Sequence, residues 1–296
     1  MKAILFPGQG SQIVGMGAEF YNNFSIVKKF FEEADDTLNF KISKIILEGP
    51  DKDLKLTQNT QPSILIVSYS IFNILKNEFN FNLKEVKYFA GHSLGEYSAL
   101  LCADALNFQD SLRLLFERGK SMQEAVPIGR GGMLAILGLD IKEINNYILQ
   151  IKSKGVCEVA NDNAEGQIIV SGNIEPIEEL KSILKQNKKK CISLPVSAPF
   201  HCSLMNSAAN KMKKMEDIKI ARSRKGIDQK ARTTNATAAR LSSCLNAASF
   251  LVSQLNARSE FFRALNTRRR PFGLLLGSKC EVVLTTGFDS FRLRIV

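Results

Sequence analysis

The stretch Ala90-Gly91-His92-Ser93-Leu94-Gly95-Glu96 constrains this chain more than any other. The apolar, β-prone residues 86–90 lead into it, and a helical pattern over residues 96–102 leads out. Strand, Gly-x-Ser-x-Gly, helix is the context in which a serine is lifted to the tip of a sharp turn. Gly91 and Gly95 carry no Cβ, so strand and helix can approach closely. The helix start beneath Ser93 offers unpaired N–H groups and the positive end of a helix dipole, both suited to a developing oxyanion. A plain Gly-rich turn with an idle serine has the same pattern; the flanking strand and helix favour catalysis.

The 296 residues suffice for one large domain or two modest ones. No run of 18 apolar residues occurs, so no membrane span is expected. The N-terminal apolar run is cut off at Pro7-Gly8, too short for a signal peptide, and reads as a first buried strand. Six cysteines without a C-x-x-C pair point to a reduced, cytoplasmic protein. Two histidines, scattered cysteines and no H-E-x-x-H give no metal site, and no G-x-x-x-x-G-K-[ST] phosphate loop is found.

Charge is spread unevenly. Residues 1–220 hold 26 Lys+Arg against 25 Asp+Glu, whereas residues 221–296 hold 14 against 4. The first part uses 23 Lys and 3 Arg, the last 3 Lys and 11 Arg. A near-neutral, Lys-rich body therefore carries a basic, Arg-rich tail.

Along the body, residues 2–6 read as a strand and residues 6–12 as a loop. Helical spacing covers residues 15–20 and 27–38, and Gln61-Pro62 is expected to open a helix reaching Leu75. After the elbow comes a helix from Phe108 to about Glu124. The pattern then changes: strand 133–137, helix 141–151, strands 156–160 and 167–170 around an Asn/Gly-rich turn, helix 174–186 and strand 191–194. This β-α-β-β-α-β order reads as a ferredoxin-like insertion, bounded by Pro195 and Pro199. A helix over residues 203–215 returns to the main body.

A serine nucleophile near neutral pH needs a base. His92 adjoins Ser93, and neighbours across an elbow project differently, so His92 is expected to pack beside the turn. That leaves His201, and Ser before His is a chain order seen in serine hydrolases. No acidic third member is evident; a backbone carbonyl can orient the imidazole instead.

Six ordered motifs carry a resemblance: Gly8-Gln9-Gly10-Ser11-Gln12, Thr60-Gln61-Pro62, Gly91-His92-Ser93-Leu94-Gly95-Glu96, Arg118-Gly119-x-x-Met122, Asn161-x-Asn163 with Gly166-Gln167, and Ala198-Pro199-Phe200-His201. Over about residues 1–215 the chain resembles the malonyl-CoA:acyl-carrier-protein transacylases of fatty acid synthesis. The resemblance implies an α/β fold: an α/β-hydrolase-like large subdomain, residues 1–126 and 200–296, with a ferredoxin-like small one, residues 127–199. It implies a malonyl ester on Ser93, His201 as base, and an oxyanion hole from the N–H groups of Gln9 and Leu94. Arg118 would clamp the malonyl carboxylate, with Gln61 lining the same pocket. Phe200 would narrow it against an extra methyl, and Asn163 and Gln167 would meet the pantetheine arm or the loop that holds it. The substrates would be malonyl-CoA and phosphopantetheinylated acyl carrier protein, with no cofactor, no nucleic acid, no membrane and a monomeric enzyme. Lys188-Lys189-Lys190 and Lys211, Lys213 and Lys214 are candidate docking lysines for the acidic carrier protein; a solvated charged face is the more common meaning of such runs.

Beyond residue 220 the resemblance thins. Thr234-Asn235-Ala236-Thr237 and Val252-Ser253-Gln254-Leu255 stand at family places, and Gln254 matches the residue whose carbonyl would orient His201. The family's Gly-Pro-Gly loop is missing; Thr285-Thr286-Gly287-Phe288 stands near its position, and Arg268-Arg269-Arg270 has no counterpart. Residues 221–296 are thus a divergent completion of the fold, a non-native stretch from a frame change or fusion, or a basic arm. The function readings that follow are a malonyl transferase, a serine thioesterase or esterase on the same scaffold, or an inactive protein with a disrupted C-terminus.

Overall fold

The computed structural model describes residues 2–79, 81–196, 198–224, 280–284 and 291–295. Gln254 and the tail motifs at 234–237, 252–255, 268–270 and 285–288 lie outside them. The described residues form an α/β structure of eight strands and ten α-helices, divided into two compact units.

In the first unit, described residues up to Gly119 and again from Lys214, the sheet is built on β1 (Lys2–Phe6). β1 lies between β2 (Val86–Gly91) and β7 (Cys280–Leu284), parallel to both, and β8 (Phe291–Ile295) pairs antiparallel to β7. The uncharged run Ala3-Ile4-Leu5-Phe6 suits a parallel strand covered on both faces; Ile4, Leu5 and Phe6 are buried. A parallel pair needs a long crossover. Here it contains α1 (Ala18–Asn23), α2 (Ser25–Leu38), α3 (Ile42–Glu48), α4 (Asp51–Leu54) and α5 (Thr57–Asn77). α6 (Gly95–Cys102) follows the elbow, and α7 (Phe108–Ala125) runs on into the second unit. Leu65 and Ile66 of α5 share one apolar cluster with Phe31, Ile42, Ile46, Leu54, Leu112 and Leu115.

Gln61-Pro62 does not open α5. The helix begins four residues earlier, at Thr57, and Pro62 lies inside it. The N–H groups of Asn59 and Thr60 both donate to the Leu56 carbonyl at 2.8 Å, which starts the helix upstream. Pro62 then forgoes a single backbone bond, while Thr57, Thr60 and Gln61 are buried.

The second unit holds Lys120–Lys213 among the described residues. Its order is β3 (Gly131–Leu137), α8 (Ile141–Ile148), β4 (Cys157–Ala164), β5 (Gln167–Asn173), α9 (Ile174–Gln186) and β6 (Lys190–Ser193). The strands lie β4-β5-β3-β6, every pair antiparallel. Successive residues of a strand face opposite ways. Leu134 and Ile136 therefore join Ile144, Leu180 and Leu184 of the two helices, while Met133 and Ala135 join Met122, Val126, Phe200, Met205 and Ala208.

Two local expectations change. The Asn-rich residues 161–163 belong to strand β4 rather than to a turn, because register shifts on either side absorb the irregular pairing. The reversal itself is left to Glu165-Gly166, with Gly166 at φ 70°. The helix expected over 203–215 is a 3-10 turn, Ser203–Met205, followed by α10 (Asn206–Arg224). The second unit is also wider than the 127–199 read from the sequence. The end of α7 and residues 200–213 go with it, since Met122, Val126, Phe200, Met205 and Ala208 share its apolar cluster.

Leu134 is fully buried. Leu134→Ala should lower unfolding free energy by about 2–5 kcal/mol, as a cavity left in a packed core does, measured by urea titration.

Candidate active site

The elbow is closed by backbone against backbone. A Cβ on Gly91 would lie 1.9 Å from the Gly95 carbonyl carbon, and one on Gly95 would lie 2.4 Å from the Phe6 carbonyl oxygen. Only glycine fits at either place. Ser93, between them, has φ 54°, a left-handed conformation that costs a residue with a Cβ and is typical of functional turns. The Gly95 N–H donates to the His92 carbonyl (2.9 Å) and the Glu96 N–H to the Ser93 carbonyl (3.1 Å), passing the chain straight into α6.

The loop after β1 lies against this turn. The His92 N–H donates to the Phe6 carbonyl (3.1 Å), and a Cβ on Gly8 would fall 2.5 Å from His92 Nδ1. His92 therefore packs beside the turn, against the residue that precedes Gln9. The loop holds its own shape: Ser11 Oγ donates to the Gly8 carbonyl (3.0 Å) and the Gly10 N–H to Gln12 Oε1 (2.7 Å). Leu94 is buried. Among the described residues, no hydrogen bond is made by the N–H of Gln9 or of Leu94.

Arg118 of α7 reaches Ser93. Its Nη1 donates to Gln61 Oε1 at 2.8 Å and its Nη2 to Ser93 Oγ at 3.2 Å, and its Cζ lies 5.8 Å from the centre of the Tyr97 ring. Gln61 is 1% exposed, so the amide that holds the guanidinium is itself fixed by packing. Sequence reasoning leaves two contributors without a role. Tyr97 supplies a ring face for the cation. Gly119 lets α7 meet α5: a Cβ there would stand 2.5 Å from both Gln58 Cα and the Thr57 carbonyl oxygen. The Arg-Gly pair was the available signal, since a glycine inside a helix is disfavoured unless close approach requires it.

His201 belongs to the second unit, with φ 59° in the segment between β6 and α10. Phe200 is buried in the apolar cluster of that unit. Asn163 lies in β4, and Gln167 begins β5 opposite Ala164. Beside His201, burial raises the Cys202 thiol above its ordinary range, and burial also pushes Cys157 up to about 12. Both thiols therefore stay protonated near neutral pH and are poor nucleophiles.

A family model described as an acyl transferase domain matches residues 4–261. The malonyl CoA-acyl carrier protein transacylase of Bacillus subtilis (strain 168) is 43% identical over 217 residues, 73% of this chain and 67% of that protein. The solved acyl-carrier-protein-S-malonyltransferase from Bartonella henselae is 44% identical at a TM-score of 0.69, covering 72% of this chain and 68% of its own. A solved complex of a type II PKS acyl-carrier protein with its malonyl-transacylase gives 38% identity and a TM-score of 0.69, over 73% of this chain and 69% of that chain. This chain belongs to the malonyl CoA-acyl carrier protein transacylase family.

Gly119→Ala should push α7 off α5 and loosen Arg118 from Gln61. Loading of the protein by malonyl-CoA is expected to slow by about 10-fold or more, as misplaced reacting groups do, measured by rapid-quench mass spectrometry of protein that still gives a wild-type circular dichroism spectrum.

Proposed function

We propose that this chain transfers the malonyl group from malonyl-CoA to the pantetheine thiol of acyl carrier protein, through a malonyl ester on Ser93, in fatty acid biosynthesis. The observation that carries this reading is Arg118, held by buried Gln61 with a donor 3.2 Å from Ser93 Oγ. A guanidinium at that range from the nucleophile suits an acyl group that ends in a carboxylate, which it can grip by two parallel charge-assisted bonds.

In this reading Ser93 Oγ attacks the thioester carbonyl while His201 takes its proton. The oxyanion is received by the N–H groups of Gln9 and Leu94 at the start of α6. His201 then returns the proton to the departing CoA sulfur, leaving malonyl-serine. In the second half the carrier's pantetheine thiol yields its proton to His201 and attacks the ester carbonyl. The ester bond breaks, Ser93 recovers its proton and the thioester leaves on the carrier. No cofactor enters either half. The arriving malonyl carboxylate takes the Arg118 donor that otherwise rests on Ser93, which also frees the hydroxyl to react.

The same reading makes the first unit α/β-hydrolase-like and the second ferredoxin-like, in a cytoplasmic monomer. Phe200 sets acyl size, a discrimination of about 1–3 kcal/mol per methyl. Asn163 and Gln167 meet the pantetheine arm, and the lysines at 188–190, 211, 213 and 214 face the acidic carrier.

Incubation with malonyl-CoA followed by intact-mass measurement should show one malonyl adduct, absent in Ser93→Ala; CoA release without an adduct would indicate hydrolysis instead. Arg118→Ala should slow malonyl loading by about 100-fold, the scale of a lost bidentate charged contact, while acetyl loading changes little. An equal loss for both acyl groups would remove the clamp role.

A further inference from the structure

His201 keeps a left-handed backbone although it carries a Cβ. Such a conformation persists only where its surroundings over-determine it, and the residues on either side of it supply that constraint. On the N-terminal side, Ala198 and Phe200 are buried, and the Pro199 ring packs onto Gly131 so tightly that a Cβ there would come within 2.4 Å of it. Cys202 Sγ donates to the Pro199 carbonyl at 3.2 Å, closing the turn around His201.

On the C-terminal side the anchor comes from 45 residues away. Glu158 of β4 receives Ser203 through both carboxylate oxygens: the Ser203 N–H donates to Oε2 at 2.8 Å and Ser203 Oγ to Oε1 at 2.7 Å. Ser203 begins the 3-10 turn Ser203–Met205, whose Met205 N–H donates to the Cys202 carbonyl at 2.9 Å. Glu158 is itself fixed by the sheet, paired with Ser171 of β5. Both bonds are solvent-exposed, which limits their strength, but a carboxylate that takes a backbone N–H and a hydroxyl together restricts both the position and the direction of the segment. The partners of Glu158 and the turn they secure all lie in the second unit.

We infer that Glu158 is a positioning residue for His201: it ties the residues behind the base to β4, so that the strained turn holds a single conformation during proton transfer. The inference rests on the reading of His201 as the base. It assigns Glu158 no contact with substrate.

The test uses the full chain with malonyl-CoA and acyl carrier protein. His201→Ala and Ser93→Ala are measured first and should abolish transfer. Glu158→Ala should then lower kcat by about 10-fold or more, the usual effect of a displaced catalytic group, with the KM for malonyl-CoA little changed. Hydrogen exchange in the peptide spanning residues 199–206 should quicken, while the unfolding midpoint stays at the wild-type value. Glu158→Gln keeps an acceptor oxygen and should recover most of the rate; Ser203→Ala, which loses one bond of the two, should show a smaller fall than Glu158→Ala. Wild-type kcat and wild-type exchange in Glu158→Ala, alongside an inactive His201→Ala, would overturn the positioning role and leave the base assignment standing. A fall in kcat accompanied by an equal drop in thermal stability and no recovery in Glu158→Gln would reduce Glu158 to a structural residue, and so also overturn it. An active His201→Ala would overturn the base assignment and this inference with it.

Discussion

The contact of Gly91 on Gly95, and of Gly95 on the end of β1, sets the geometry of the first unit. Three pieces of backbone meet where no side chain fits. Because β2 must stop there and α6 must start there, the turn between them has no slack, and Ser93 takes up the strain as a left-handed residue. The same closeness brings the loop after β1 alongside His92. A serine lifted from a strained turn and a loop laid alongside it are consequences of one packing requirement, not separate inventions.

Arg118 depends on a second close approach of the same kind. A guanidinium near a serine is useful only if it is aimed, and a long flexible side chain loses entropy when aimed. Gly119 brings two helices together, buried Gln61 takes one arm, and the Tyr97 ring lies beside the cation. A neutral amide partner has a particular merit here. It fixes the direction of the guanidinium without cancelling its charge, as a carboxylate at position 61 would.

Much of this was legible in the sequence because the informative residues stand next to one another. Gly91 to Gly95 lie within one turn, Arg118 adjoins Gly119, and the strands and helices of the second unit follow simple periods. What escaped depends on contacts across sequence distance or on burial outweighing a local rule. Pro62 marks a helix start by local rules, yet α5 begins at Thr57, with Thr57, Asn59, Thr60 and Gln61 packed away. Asn161 and Asn163 are poor strand formers, yet β4 takes them by shifting register. The Glu158–Ser203 pair spans 45 residues and leaves no local trace. Strand β8 is a different case: Phe291-Arg292-Leu293-Arg294-Ile295 alternates apolar and charged residues, a period-two signal masked by the Arg-rich composition around it.

The place of β1 in its sheet has a consequence for how the chain is made. β1 precedes both of its neighbours in the chain, and one of them pairs Lys2 with the distant Glu281. The four strands of the second unit lie between residues 131 and 193 and can close as soon as they emerge. The first unit must instead hold one side of β1 open until β7 arrives. Pairings of such long range form slowly, and an unpaired strand edge is a template for other chains in the meantime. The unit that carries Ser93 therefore closes later than the second unit and is the more exposed of the two to misassembly during synthesis.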